Sequence, residues 1–378
     1  MPGSADRPLR ILHLVGAAED NGGVLSVVRN ITAASGPLGI QHATLVHASF
    51  DQIRRPTLDL RRSRYLLMEH PSSAALLYRG LRTVPELRRL LAAERFDILH
   101  AHSRGPLVAA ALAAAFLGCR ALFTNHAFAR GRAVYQMAAR WPRLWTTMLT
   151  PNMARHYGIE PRPPRVSIVS ECAADGFFSA PLSPEPSLSQ ARPLRLVGVG
   201  NIVRWKNWSL LLDALAQLPG NVRSRFRFDL WGPVAAEDDA RRYDQFLRET
   251  ITSRGLSDIA FLRGPTLDVP AALADADFFV LPSTNEPCSV ALIEALAQGI
   301  PALVSQSGGN VDILKDGITG RWFLPDDPAS FASVLAEIAS GAWHPASRAE
   351  IRASVQSRSA SAVAAELSVL YRQRAQQP

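Results

Sequence analysis

Residues 194–218 read LRLVGVGNIVRWKNWSLLLDALAQL. The first nine are an apolar run with two glycines, which predicts a buried strand over 194–202. The last ten, SLLLDALAQL, have helical spacing, which predicts a helix over 209–218. Between them lies a loop carrying Gly200, Arg204 and Lys206. Strand, glycine loop and helix in this order are the first half of a βαβ unit.

The unit recurs in both directions. Downstream, strands are expected at 225–232, 259–264, 277–283, 300–306 and 320–325, with helices between them. Upstream, RILHLVG (10–16), HATLVHA (42–48), FDILHAH (96–102) and RALFTNHA (120–127) read as strands. The helices expected there are 24–35, 84–94 and the alanine-rich run after Gly105. The fold class expected is α/β, with two doubly wound parallel-sheet, Rossmann-like domains. The stretch PLSPEPSLSQARP (181–193) interrupts the alternation and reads as a linker. The organisation expected is a domain over 1–182, a linker over 183–193 and a second domain over 194–346. A final helix over 347–378 is expected to pack back on the first domain. Ligands of such sheets bind beyond the carboxyl ends of the strands, here in a cleft between the domains.

Composition narrows the class. The 378 residues are 47% hydrophobic and 20% charged, which describes a globular chain. No apolar run reaches the length of a bilayer span, and the N-terminus has no basic segment leading into an apolar core. The expectation is a cytoplasmic protein. Three widely spaced cysteines, Cys119, Cys172 and Cys288, make neither a disulfide framework nor a zinc ribbon. The net charge of +8 is uneven. Residues 1–180 hold 22 Arg, no Lys and 12 acids, a balance of 22 − 12 = +10. Such a field suits anionic lipid headgroups or a phosphate-bearing acceptor, and equally an ordinary solvated surface. No nucleic-acid-binding motif accompanies it.

The chemistry gathers at strand ends. In STNEPCSVALIEALAQG (283–299), Glu286 and Glu294 stand eight positions apart. On a helical ruler that is about 12 Å. A glycosidase pair needs roughly 5–9.5 Å, so the two acids are expected to hold different parts of one long ligand. Glu294 lies in an otherwise apolar helix, where a carboxylate needs hydrogen-bond donors. A ribose diol would supply them, and so would a structural arginine. The amides around Cys288, Ser289 and Val290 open that helix and can bind phosphate. Arg204 and Lys206 suit a diphosphate, or a solvated loop. Gly22 and Gly23 follow the first strand and let backbone approach a ligand closely. His126 ends a strand and can meet a sugar hydroxyl, or be structural. His100 and His102 are read as facing opposite ways, and so as unable to share a metal. Asp275 and Asp277 read as structural.

The second half resembles retaining glycosyltransferases of the GT-B fold, family 4 type. The resemblance rests on GVGNIVRWKN with SLLLDAL, on WGP, and on the stretch from FLRG through Glu286 and Glu294 to FLPDD. It runs over about 194–327, and the first half matches more loosely through NGG, DILHAHS and TNH. It implies transfer of a sugar from a nucleoside-diphosphate donor with retention, without metal or cofactor. Glu286 would bind donor-sugar hydroxyls, Glu294 the ribose, and Lys206 the diphosphate with the helix N-terminus and Gly22-Gly23. His126 would contact the sugar near the reacting carbon. There are departures. Asn201 stands where the family has Arg, so Arg204 is expected to substitute. Gly308-Gly309-Asn310-Val311-Asp312 replaces GGxxE, and Glu171-Cys172-Ala173-Ala174-Asp175 replaces Asn-Gly-Val-Asp. The function expected is a hexosyltransferase acting on a glycan or lipid-linked acceptor in cell-surface polysaccharide or glycolipid synthesis, lipopolysaccharide included. It would sit in the cytoplasm, with peripheral contact to an anionic membrane and none to nucleic acid. The alternative is a catalytically weak sugar-nucleotide-binding or assembly protein of the same fold.

Overall fold

The computed structural model describes residues 7–129, 131–182, 185, 192–235 and 237–377. Two compact units divide the chain: Met1–Cys172 with Arg358–Pro378, and Ala173–Ser357. Most of the 183–193 stretch lies outside the described residues. The division falls at 172/173, ahead of that stretch, and the chain returns to the first unit at Arg358.

The first unit holds β1 (Leu9–Leu14), β2 (Ile40–His47), β3 (Leu60–Ser63), β4 (Ile98–His102), β5 (Ala121–Asn125), β6 (Leu144–Met148) and β7 (Val166–Ile168). They form one sheet in the order β3-β2-β1-β4-β5-β6-β7, every pair parallel. The inner strands are buried residue after residue, because helices cover both faces. Three strands were not expected from the sequence. LRRS and LWTTM lack an apolar run, and VSI is short and follows Pro161, Pro163 and Pro164. The 84–94 helix begins earlier, at Ser73, where Ser72 caps the amide of Ala75 and Pro85 is carried inside the helix.

The second unit holds β8 (Leu194–Val199), β9 (Phe226–Trp231), β10 (Ala260–Gly264), β11 (Phe278–Leu281), β12 (Ala302–Ser305) and β13 (Gly320–Phe323). Their order is β10-β9-β8-β11-β12-β13, again parallel throughout. Trp208, at the start of the helix Trp208–Gln217, is fully buried. Its ring lies on β8 at Gly198, where an added Cβ would meet it at 2.8 Å. That contact explains the glycine in the apolar run of residues 194–199. Asp275 and Asp277 are structural: Asp277 takes two bonds from Arg192, at 2.6 and 2.8 Å, and Asp275 pairs with Arg195.

The C-terminal stretch is shared between the units. The helix Arg348–Ser354 packs on the helix Val290–Ala297 of the second unit. The helix Ala360–Gln376 packs on the helix Gly23–Ala34 of the first.

Candidate active site

Each sheet changes winding direction once. In the second unit the change lies between the neighbours β8 and β11. Loops diverge there, which leaves a crevice at the strands' carboxyl ends. Lys206 lies in the loop after β8, in a 3₁₀ turn over Arg204–Lys206. Glu286 lies in the loop after β11. The fold brings them together: Lys206 Nζ donates to Glu286 Oε2 at 2.6 Å. Both residues are buried, and Lys206 Nζ also lies 4.5 Å from the ring centroid of Trp205.

The loops are fixed to one another. The amide of Thr284 donates to the Trp205 carbonyl at 3.0 Å. Ser305 and Ser307 donate to the carbonyls of Ser283 and Thr284. The amide of Gly309 donates to the Glu286 carbonyl at 2.7 Å. Gly308 has φ +57°, and a Cβ there would lie 2.2 Å from that carbonyl oxygen. Glycine is therefore required at 308 for Glu286 to hold its place.

The helix behind Glu286 starts close to where the sequence suggests, with Glu286 in the loop before it. It spans Val290–Ala297, with Ser289 as N-cap accepting from the amide of Leu292. The helical ruler thus covers only half of the interval between Glu286 and Glu294. Glu294 is half-buried, little more than one turn in. The cap uses the Leu292 amide, so Val290 and Ala291 carry the first-turn amides without a partner inside the helix. Cys288 is buried beside the cap. Asn201 is half-buried, and its carbonyl accepts from the indole of Trp208 at 3.1 Å. Arg204 is turned elsewhere. Its Nε donates to Asp239 at 2.9 Å, and its guanidinium lies over Tyr243.

In the first unit, Gly22 and Gly23 open the helix Gly23–Ala34, with Gly22 at φ +86°. His126 follows β5. Its side chain is 5% exposed, and both ring nitrogens are engaged. Nδ1 lies 2.8 Å from Glu171 Oε1 and Nε2 lies 2.9 Å from His102 Nδ1. The reading of His100 and His102 needs correction. Residues two apart on a strand share a face, and their ring centroids are 4.2 Å apart. With His13 they bring ring nitrogens within 4.8 Å of one another. These nitrogens are spent in hydrogen bonds. His13 bonds to His102 and His42, and His100 to Tyr371 and Thr124.

Residues 182–355 match the model for glycosyl transferases group 1, and residues 21–177 match that for glycosyltransferase family 4. The two matches cover nearly the whole chain. This chain belongs to the group 1, family 4 type of glycosyltransferases. The chain is 31% identical over 156 residues to the "Putative colanic acid biosynthesis glycosyltransferase WcaL" of Escherichia coli (strain K12), covering 39% of this chain and 36% of that one. It is 22% identical over 281 residues to the Escherichia coli UDP-Gal:alpha-D-GlcNAc-diphosphoundecaprenol alpha-1,3-galactosyltransferase, covering 69% and 71%. The match to WcaL thus spans about a third of that relative's length. A glycosyltransferase structure from Rickettsia africae superposes with TM-score 0.76 at 16% identity, covering 98% of this chain and 100% of that one. The two parallel-sheet units are thus the GT-B fold.

In this glycosyltransferase some site residues were not singled out by sequence reasoning. Glu171 was noted as a departure, not as the partner of His126. Ser103, directly after β4, is buried at φ +74°, a conformation rare for serine. His13 and His42 carry a usable signal. Their parity along β1 and β2 places them on the same sheet face as His100.

Proposed function

We propose that the chain is a retaining, nucleotide-sugar-dependent hexosyltransferase. Its acceptor would be a glycan or a lipid-linked sugar in cell-surface polysaccharide or glycolipid synthesis. One observation carries this reading: a buried Lys206–Glu286 pair at the point where the second sheet changes winding direction. A buried cation needs an anion. Glu286 supplies it in the unliganded fold, and a donor diphosphate can supply it when bound. Glu286 is then released to accept from sugar hydroxyls. The Val290 and Ala291 amides face the same negative charge, and Glu294 takes the ribose diol. The diphosphate's charge is met by Lys206 and these amides, so no metal is invoked. Gly22, Gly23 and His126 act on the donor as the resemblance implies. A solved relative, Anabaena HepE, is described in complex with UDP-glucose, which supports a nucleotide-sugar donor here.

The acceptor reading draws on the first unit. On the helix Ser73–Glu94, Leu77, Tyr78 and Leu81 are exposed beside Arg82, Arg88 and Arg89. Apolar and basic side chains on one helix suit the surface of an anionic membrane. No helix among the described residues is long and apolar enough to cross one. A second reading, a weakly active sugar-nucleotide-binding protein, is favoured by one observation. Arg204, the expected substitute cation, is committed to Asp239.

Incubation with UDP-, GDP-, ADP- and dTDP-sugars tests the proposal. Release of nucleotide from at least one donor is expected. No binding and no turnover with any of them would overturn it.

A further inference from the structure

Four histidines climb diagonally across the first sheet. His42 is the third residue of β2, His13 the fifth of β1, and His102 the last of β4, while His126 follows β5. The register makes this a staircase. His42 pairs with Ile11, two residues before His13. His13 pairs with His100, two before His102. His102 pairs with Thr124, two before His126. Each step moves one strand across and two residues up, so all four rings share a face. They are joined ring to ring. His42 Nδ1 lies 2.8 Å from His13 Nε2, and His13 Nδ1 lies 2.9 Å from His102 Nε2. His102 Nδ1 lies 2.9 Å from His126 Nε2, and His126 Nδ1 lies 2.8 Å from Glu171 Oε1.

Hydrogen-bond capacity orders the row. A carboxylate only accepts, so His126 carries its proton on Nδ1. A neutral imidazole has one donor and one acceptor. His126 Nε2 then accepts from His102 Nδ1–H, His102 Nε2 from His13 Nδ1–H, and His13 Nε2 from His42 Nδ1–H. All four are Nδ1–H tautomers, and the row ends on the lone pair of His42 Nε2. That atom is buried, with no hydrogen-bond partner among the described residues. His42 lines a pocket of about 290 Å³ with Arg10, Thr32, Gln41, Asp59 and Phe96. Arg10 Nε and Thr32 Oγ1 in the same pocket are likewise buried and unpartnered among the described residues.

We propose that His42, His13, His102 and His126 form a proton relay through this sheet, with Glu171 holding its upper end. The relay makes His42, His13 and His102 positioning residues for His126, and rests on the reading of His126 as part of the transfer site. A proton arriving at His42 Nε2 displaces the Nδ1 proton to His13 Nε2. The same exchange follows at His102 and then at His126. One proton enters the row and one appears at His126 Nε2, giving an imidazolium beside the Glu171 carboxylate. The three other rings end as neutral Nε2–H tautomers, so the three ring-to-ring bonds have reversed while His126 Nδ1–H still donates to Glu171. The opposite sequence carries a proton away from His126. Burial, with neighbouring histidines adding to it, pushes the pKa of His13 and His102 well below the usual imidazole value, and burial brings that of His42 down to about 4. The titratable and charged neighbours are His100 from β4, Tyr371 from the helix Ala360–Gln376, Arg10 and Asp59 at the pocket, and Glu171.

Side-chain NMR of the full chain with 15N-labelled histidine tests the relay. At pH 8 the four rings are expected as neutral Nδ1–H tautomers. On acidification the His126 imidazolium is expected in the same step as the switch of the others to Nε2–H. An Nε2–H tautomer among the four at pH 8, or a charged His126 with the other rings unchanged, would overturn the proposal. His42→Gln keeps a donor to His13 but cannot pass a proton. It is expected to preserve the tautomers at pH 8, to lose the coupled reversal, and to alter the acid limb of donor turnover. Coupled reversal surviving in this variant would contradict the relay. The tautomers are read without a substrate, so absence of turnover would refute the proposed function and leave this test standing.

Discussion

Lys206 and Glu286 are 80 positions apart in the chain and 2.6 Å apart in the fold. Each was legible in the sequence as a charged residue at a strand end. Their pairing was not, because it depends on β8 and β11 being neighbours. The pair makes a stability statement as well as a functional one. Removing one partner leaves a buried charge unmet, which costs about 3–5 kcal/mol. Lys206→Met is therefore expected to lower the urea midpoint strongly. The double variant Lys206→Met with Glu286→Met is expected to regain most of that loss and none of the donor turnover. A single variant as stable as the parent would show that the pair is not desolvated. His126 teaches a related lesson. It was legible as a site residue, but the engagement of both its nitrogens depends on side chains from β4 and from after β7.

Among the elements, β1, β2 and β4 carry buried histidines within their spans. Burial is the main cause that lowers the affinity of His13, His42, His100 and His102 for protons, with neighbouring histidines adding to it at His13, His100 and His102. The sign follows directly. In the unfolded chain these groups bind protons near pH 6.5, while the folded chain resists. Their contribution is whole above about pH 6.5 and declines as the pH falls, at about 1.4 kcal/mol per pH unit for each such group. For His42 the decline continues to about pH 4. Urea midpoints between pH 8 and pH 5 are expected to drop, and less steeply in His42→Gln. An unchanged slope in that variant would mean His42 protonates freely in the native state. Strand existence was readable where apolar runs were long, as in β1, β4 and β8. It was not at β3, β6 and β7, which hold their places through neighbours rather than composition. The helix Val290–Ala297 begins where its start was readable, at the Ser289 cap with Glu286 in the preceding loop, but it places Glu294 little more than one turn in.

At the scale of the whole molecule, alternation alone was enough to give two parallel sheets. The positions where the chain passes between units were harder, since the Pro/Ser-rich stretch is a stronger signal than residues 172–173. The charge asymmetry survives folding only in part. Arg61 is tied to Asp59 and Glu94, whereas Arg55, Arg62 and Arg64 stay exposed. Under the proposed membrane reading, the exposed Leu77, Tyr78 and Leu81 would supply the apolar part of the contact. Flotation with anionic liposomes is expected, with loss in neutral liposomes and in the double variant Leu77→Ser with Leu81→Ser. Binding indifferent to lipid charge would remove the electrostatic part of that reading. Under the proposed function, Glu286 and Glu294 of the second unit would grip a donor at two separate points. Calorimetry of the free nucleoside diphosphate against Glu294→Ala and Glu286→Ala tests it most directly. The expected result is weakened binding in Glu294→Ala and retained binding in Glu286→Ala, with sugar transfer lost in the latter. Equal weakening of nucleotide binding in both variants would contradict it.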